Sequence, residues 1–234
     1  MGEEGTEIKK RAVVLLSGGL DSTTTAYWAR EEGFEIYALT FLYDQRHEKE
    51  IEGAKTIAKL LDVREHILLK IPLEDIGRSS LFKKGEDIPD GGDEIGLNVP
   101  STYVPARNII LLSFAVSYAE SIDAQAVFIG ANAVDYSGYP DCRPEFYEAY
   151  QKACDLGTKR GAEGDPITIR YPLIHLSKAE IISKALSLGA PLEHTWSCYR
   201  GGKDACGTCE SCRLRLKGFK ETGKIDPVKY ASNR

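Results

Sequence analysis

Short apolar runs alternate with amphipathic stretches along most of the chain. Continuous apolar runs are typical of strands buried on both faces, whereas apolar residues three and four positions apart are typical of helices that pack on one side. The pattern predicts strands at 11–16, 35–43, 64–69, 126–130 and 167–171. It predicts helices at 21–32, 47–61 and 144–157, one that starts at Pro105, and one that Ser177 caps and that ends near Gly189.

Strands that alternate with helices predict an α/β fold, in which a doubly wound, mostly parallel sheet is covered by helices on both faces. We assign this fold to residues 8–189 and a small C-terminal subdomain to residues 190–234. Ligands of such sheets bind outside the carboxyl ends of the strands. The long segment 70–104, which carries several glycines and prolines, has the character of a lid or a binding loop.

Composition narrows the classes of protein to consider. The chain has 234 residues, of which 42% are apolar and 28% charged, as in an ordinary globular protein. It contains no apolar run of about 20 residues, the length that a membrane span needs. The charged residues 1–11 lack the apolar core of a secretory signal, so we expect a cytoplasmic location and no membrane partner. The net charge of −5 disfavours nucleic acid as the main partner, although the segment 203–229 is locally basic.

A glycine-rich turn between the first predicted strand and the first predicted helix is a candidate phosphate site. Its sequence is Ser17-Gly18-Gly19-Leu20-Asp21-Ser22-Thr23. Glycines let the backbone approach an anion closely, and the amides at the start of a helix attract negative charge. The turn lacks the lysine of a Walker loop and is not a dinucleotide fingerprint. The glycines alone also fit a plain turn with a serine cap, but the whole string ahead of a helix is more specific.

Four of the six cysteines lie within fifteen residues, at Cys198, Cys206, Cys209 and Cys212. Crowded cysteines without a secretory signal indicate a metal rather than a disulfide framework. Four thiolates form a closed tetrahedral shell for structural Zn²⁺, and an iron–sulfur cluster is the alternative. We interpret His194 as a packing or surface residue, and Cys142 and Cys154 as ordinary thiols.

The segment 131–144 follows a predicted strand and carries the third candidate site. Asp135, Tyr136 and Asp141 are suited to a guanine-like base, because carboxylates can accept from its N–H edge and a tyrosine can stack on its face. A polar loop with packed tyrosines is the alternative, and composition alone favours it.

The turn from Ser17 to Thr23 resembles the pyrophosphate loop of N-type ATP pyrophosphatases. The resemblance implies that ATP is cleaved between its α and β phosphates, that residues 16–23 (Leu16, Ser17, Gly18, Gly19, Leu20, Asp21, Ser22 and Thr23) hold the nucleotide, and that Asp21 helps to place Mg²⁺. Five segments follow one another in a fixed order along the chain: the turn, Val104-Pro105-Ala106-Arg107-Asn108, the segment 135–144, Leu176-Ser177-Lys178-Ala179-Glu180, and Trp196-Ser197-Cys198 with the later cysteines. Together they closely resemble the 7-cyano-7-deazaguanine synthase (QueC) family, from Arg11 to about Pro227. The segment 81–99 matches least.

That second resemblance implies a substrate and a reaction. The family converts 7-carboxy-7-deazaguanine, ammonia and two ATP to the nitrile, with release of AMP and pyrophosphate, on the way to queuosine or archaeosine. It also implies phosphate contacts from Arg107 and Lys178, and a homodimer. Two other functions remain open: a tRNA-thiolating enzyme that shares the loop, and a zinc-stabilised RNA-binding module.

Overall fold

A computed structural model describes residues 9–43, 49–77, 79–82, 88, 99–134 and 138–231. Its strands are β1 (Arg11–Leu15), β2 (Glu35–Leu42), β3 (Glu65–Lys70), β4 (Ala126–Phe128) and β5 (Thr168–Arg170). Its helices are α1 (Leu20–Glu31), α2 (Lys49–Leu60), α3 (Leu73–Ile76), α4 (Arg107–Ser121), α5 (Pro144–Gly157), α6 (Lys159–Ala162), α7 (Lys178–Ser187) and α8 (Glu210–Glu221). Single 3₁₀ turns occur at Pro140–Cys142 and Leu192–His194.

The five strands form one parallel sheet in the order β3-β2-β1-β4-β5. Val13 of β1 lies opposite Tyr37 on one side and Val127 on the other. Because the chain runs outward from β1 to β3 and then returns to place β4 on the other side of β1, the strand order reverses there. The predicted doubly wound α/β fold is confirmed, and a crevice opens at the carboxyl ends of β1 and β4.

The side chains of β1 alternate between two apolar layers, as the pleat of a strand requires. Val14 and its neighbours on that face pack with Ile57 of α2 and Ile181 of α7. Val13 faces the opposite layer, which includes Leu112 of α4 and Tyr147 of α5. All six are buried at 0% exposure, so the sheet has a core on both faces.

The C-terminal segment adds a helix that the sequence pattern did not predict. Helix α8 packs against α7, and Phe219 joins the same apolar layer as α1 and α7. A Cβ atom on Gly218 would lie 2.7 Å from the Cγ atom of Lys178, so the two helices approach closely. The division into subdomains at residues 189 and 190 stays a prediction.

The long irregular segment is only partly covered. Helix α3 is a single turn at its start, and residues 78, 83–87 and 89–98 lie outside the described residues, as do 44–48 at the predicted start of α2. In the part of the chain that is described, no helix is both long and apolar enough to cross a membrane.

Candidate active site

The glycine-rich turn connects β1 to α1 at the point where the strand order reverses. The backbone N–H of Ser17 donates to the Oγ atom of Ser22 at 3.2 Å, and the Oγ atoms of the two serines lie 3.0 Å apart. Ser22 in turn donates to the carbonyl of Gly19 at 3.1 Å. The serines therefore fix the turn internally, while Gly19 takes an extended conformation at the start of the helix.

Gly18 lies where α2 crosses the turn. Its φ angle is +84°, and a Cβ atom there would lie 2.1 Å from the carbonyl oxygen of Glu50 and 2.6 Å from the backbone nitrogen of Ala54. Gly53 faces it, since its own Cβ atom would lie 3.3 Å from the carbonyl oxygen of Gly18 and 2.8 Å from that of His194. Two glycines thus let α2 pack directly on the turn.

The segment that follows α7 holds the turn from another side. The backbone N–H of Trp196 donates to the carbonyl of Gly18 at 2.9 Å. The Trp196 indole N–H donates to the carbonyl of Cys198 at 3.0 Å, and the Lys49 ammonium lies 4.2 Å from the centre of the indole ring. Helix α2 and the cysteine-rich segment therefore meet at this tryptophan.

Asp21 and Lys178 form a close pair at the N-terminal ends of α1 and α7. The Lys178 Nζ atom lies 2.8 Å and 2.9 Å from the two carboxylate oxygens, with side-chain exposures of 8% for the lysine and 19% for the aspartate. Ser177 makes a capping box with Glu180, which fixes the start of α7 and hence the lysine. Both residues line the same cavity.

An open cavity of about 260 Å³ lies over the carboxyl ends of β1, β2 and β4. Its lining includes Ser17, Gly19, Asp21, Ser22, Phe41, Glu50, Arg107, Asn132, Lys178, Trp196 and Arg215. Of the other residues predicted to hold the nucleotide, Leu16 and Leu20 also line it, whereas Gly18 and Thr23 do not. Thr23 is fully buried.

Arg107 is the first residue of α4 and faces the cavity. Ala106 before it has a φ angle of +53°, which turns the chain sharply into the helix. Burial lowers the pKa of Arg107, but the neighbouring Tyr43, Cys142 and Asp141 outweigh it and raise the pKa above its usual value. Arg107 therefore stays cationic inside the cavity wall.

Glu50 faces Arg107 and was missed by sequence reasoning. Burial raises the pKa of its carboxyl to about 7, although Arg107 acts in the opposite direction. A carboxyl whose pKa lies near neutrality can exchange a proton with a ligand bound in the cavity. In the sequence it is one of several charges on an amphipathic helix, and only the packing of α2 on the turn brings it here.

Asp141 lies at the start of α4 and is held by contacts within the protein. Its carboxylate accepts the backbone N–H of Asn108 at 3.1 Å, and its carbonyl accepts from the Asn108 side chain and from the Tyr147 hydroxyl, both at 3.0 Å. It is buried and is not among the lining residues, so it fixes the start of α4. Its contact with a base stays a prediction. Asp135 and Tyr136 lie outside the described residues.

The four clustered cysteines converge beside the cavity. Their Sγ atoms all lie within 4.8 Å of one another, and those of Cys206 and Cys212 are 3.9 Å apart. Tetrahedral Zn²⁺ with sulfur ligands requires a separation of about 3.8 Å. The N–H groups of Cys206 and Cys209 donate to cysteine sulfurs at 3.3 Å, as is favourable for thiolates. The donor set fits a closed structural zinc site.

The two remaining cysteines are buried, and their thiols resist ionisation, although Cys142 is among the residues that line the cavity. Burial, together with Asp141, raises the pKa of Cys142 to about 12, and burial raises that of Cys154 to about 11. A sulfur carrier needs an accessible thiol that ionises easily. Both residues therefore have the environment of ordinary thiols.

Comparison with known proteins gives matches over nearly the whole chain. The family model described as "Queuosine biosynthesis protein QueC" matches residues 11–223. The 7-cyano-7-deazaguanine synthase of Acetivibrio thermocellus is 59% identical over 222 residues, covering 94% of this chain and 98% of the relative. That of Nostoc punctiforme is 52% identical over 223 residues, covering 94% of this chain and all of the relative.

Solved structures resemble the fold at low sequence identity. An NMN synthetase from Francisella tularensis has a TM-score of 0.50 and 17% identity, covering 93% of this chain and 79% of that one. A 4-thiouridine synthetase, solved as an RNA complex with bound ATP, has a TM-score of 0.51 and 18% identity, covering 92% of this chain and 53% of that one.

Proposed function

Because the chain belongs to the QueC family of queuosine biosynthesis proteins, we propose that it is the ATP-dependent ligase that converts 7-carboxy-7-deazaguanine and ammonia to 7-cyano-7-deazaguanine. The observation that carries this proposal is the cavity in which the glycine-rich turn faces Lys178 and Arg107. A turn of backbone amides opposite two cations is suited to ATP and to pyrophosphate as it leaves.

The chemistry follows from the poor reactivity of a carboxylate. Its oxygen attacks the α-phosphorus of ATP, an O–P bond forms, and the bond to the bridging oxygen breaks so that pyrophosphate leaves. Ammonia then attacks the acyl carbon, loses a proton and expels AMP, which gives the primary amide. A second ATP adenylates the amide oxygen, and loss of AMP with two protons leaves the C≡N group.

No protein nucleophile is required, so the chain's residues act by positioning and charge. Lys178 and Arg107 would lie against the phosphates, where negative charge shifts toward the leaving pyrophosphate. Glu50 lies where it could accept a proton as ammonia attacks. Asp21 offers the hard oxygen donor that Mg²⁺ requires, and the metal would neutralise phosphate charge when bound. The four cysteines would hold Zn²⁺ for structure.

Isotope labelling tests the reaction. With ATP, ammonium and 7-carboxy-7-deazaguanine labelled with ¹⁸O in both carboxylate positions, each nitrile formed should accompany two AMP and two pyrophosphate, and each AMP should carry one ¹⁸O atom. Release of ADP, or of unlabelled AMP, would contradict adenylation of the substrate. A Lys178→Met variant should lose about 100-fold in kcat/KM, whereas Lys184→Met, in which the lost ammonium lies over the Trp28 ring, should keep its activity.

The alternative of tRNA thiolation has less support, because the likeness to the 4-thiouridine synthetase concerns the fold alone and the two non-clustered cysteines are buried with raised pKa values. The homodimer implied by the sequence resemblance stays a prediction, as does the absence of a nucleic-acid partner.

A further inference from the structure

Arg215 of α8 lines the ATP cavity, yet the protein itself occupies its whole guanidinium. The Nε and Nη2 atoms donate to the two carboxylate oxygens of Asp226 at 2.8 Å and 3.0 Å. Nη1 donates to the hydroxyls of Thr195 at 2.8 Å and Ser197 at 3.3 Å, and Nη2 also donates to the carbonyl of Leu192 at 3.2 Å. Since guanidinium has five N–H groups, none is left for a phosphate.

Asp226 is held as firmly as its partner. Its Oδ1 atom also accepts the backbone N–H of Val228 at 3.0 Å, and its Oδ2 atom accepts the hydroxyl of Tyr230 at 2.6 Å. The side chains of Arg215 and Asp226 are 3% and 4% exposed. The pair is buried and bidentate, and hydrogen bonds use all the N–H groups of Arg215 and both carboxylate oxygens of Asp226. Such a pair has one favoured geometry and resists rearrangement when a ligand enters.

Hydrogen bonds connect the pair to the glycine-rich turn of residues 17–23, which we call the phosphate turn because we propose that it binds pyrophosphate. Arg215 grips Thr195 and Ser197, and the residue between them, Trp196, donates its backbone N–H to the carbonyl of Gly18 at 2.9 Å. A shift of the segment 195–197 would therefore move the turn or break this bond.

We propose that Arg215, clamped by Asp226, is a positioning residue for the phosphate turn and makes no contact with ATP. Arg215 fixes the position of the segment 195–197. That segment fixes the position of the Gly18 carbonyl and hence the direction in which the turn's amides point. This role rests on the proposed function only in requiring that the turn binds pyrophosphate.

Binding of inorganic pyrophosphate and of AMP, each measured by calorimetry on the full chain, separates this role from direct phosphate binding. Thr195→Val and Asp226→Asn change residues outside the cavity lining. Each should weaken pyrophosphate binding about fivefold, as expected for one misplaced hydrogen bond, and leave AMP binding unchanged. Thr195→Ser, which keeps the hydroxyl, should restore pyrophosphate binding.

Arg160 supplies a control for loss of a largely buried arginine side chain, although its partner Asp165 is 76% exposed. It pairs with Asp165 and donates to the carbonyl of Ala124, remote from the turn, and its side chain is 11% exposed. Arg160→Met should lower the melting temperature while leaving pyrophosphate binding as in the wild type.

The outcomes are distinct. If Arg215→Lys weakened pyrophosphate binding while Thr195→Val and Asp226→Asn did not, Arg215 would be a phosphate ligand and the proposal would be wrong. Equal losses for pyrophosphate and AMP, or a loss in Arg160→Met as well, would reduce the effect to general stability and overturn it too. Failure of the wild-type protein to bind pyrophosphate would instead sink the proposed function, and this inference with it.

Discussion

Replacing Gly18 with alanine should distort the phosphate turn rather than merely loosen it. A left-handed backbone costs a residue with a Cβ atom about 1–2 kcal/mol. The new methyl group would lie 2.1 Å and 2.6 Å from backbone atoms of α2, which cannot rotate away as a side chain could. Overpacking of this kind adds about 1–3 kcal/mol, so the total is about 2–5 kcal/mol. Part of that energy is relieved if the turn shifts, and pyrophosphate binding should then fall.

Gly33 makes it possible to measure the two contributions separately. Its φ angle is +86°, close to that of Gly18, but a Cβ atom there meets nothing within 4 Å. Urea unfolding of Gly33→Ala should therefore report the backbone cost alone, about 1–2 kcal/mol, with unchanged pyrophosphate binding. If Gly18→Ala proved as stable as Gly33→Ala and bound pyrophosphate like the wild type, the close packing of α2 on the turn would be refuted.

Two further predictions concern the effects of pH and of metal removal on stability. Burial, together with the charge of Lys55, lowers the pKa of His66 below its usual value of about 6.5, so the unfolded chain binds the proton first and the free energy of unfolding should fall as pH drops below about 6.5. The urea midpoint of His66→Gln should therefore fall less than that of the wild type between about pH 7.5 and pH 5.5, and parallel curves would contradict this. Zinc analysis should find one ion per chain, and removing it with a chelator, or changing Cys209 to serine, should lower the urea midpoint; an unchanged midpoint after verified metal loss would exclude a structural role.

Much of the sheet was predictable because buried parallel strands have a local signature. The observed β1, β2 and β4 lie inside the predicted ranges, since runs such as residues 12–15 are apolar without interruption. Helix α8 has no such signature. Its buried positions include Cys212 and Arg215 alongside Leu214 and Phe219, so its inner face reads as polar until the metal cluster and the arginine network are known.

The residues of the candidate site also differ in whether the sequence alone could predict them. The glycine-rich turn between β1 and α1 could be predicted because its residues are contiguous in sequence, while its binding of phosphate stays a prediction. Glu50 and Arg215 could not be predicted from the sequence. Glu50 resembles an exposed charge on a helix, and Arg215 belongs to a basic stretch, and only the packing of the helices brings them to the cavity. For Asp141 the sequence identifies a carboxylate but not its partners: the carboxylate accepts the backbone N–H of Asn108, and its contact with a base stays a prediction.

The bond between Trp196 and Gly18 has a consequence for how the protein is made. The turn is translated before the segment that orients it, and before the Arg215–Asp226 pair that fixes that segment. During synthesis the turn is therefore at first joined to β1 and α1 while its amides lack their final orientation. The nascent chain can therefore orient the turn only after residues 195–226 have been made, and a chain stopped before residue 196 would lack the hydrogen bond from Trp196 to Gly18.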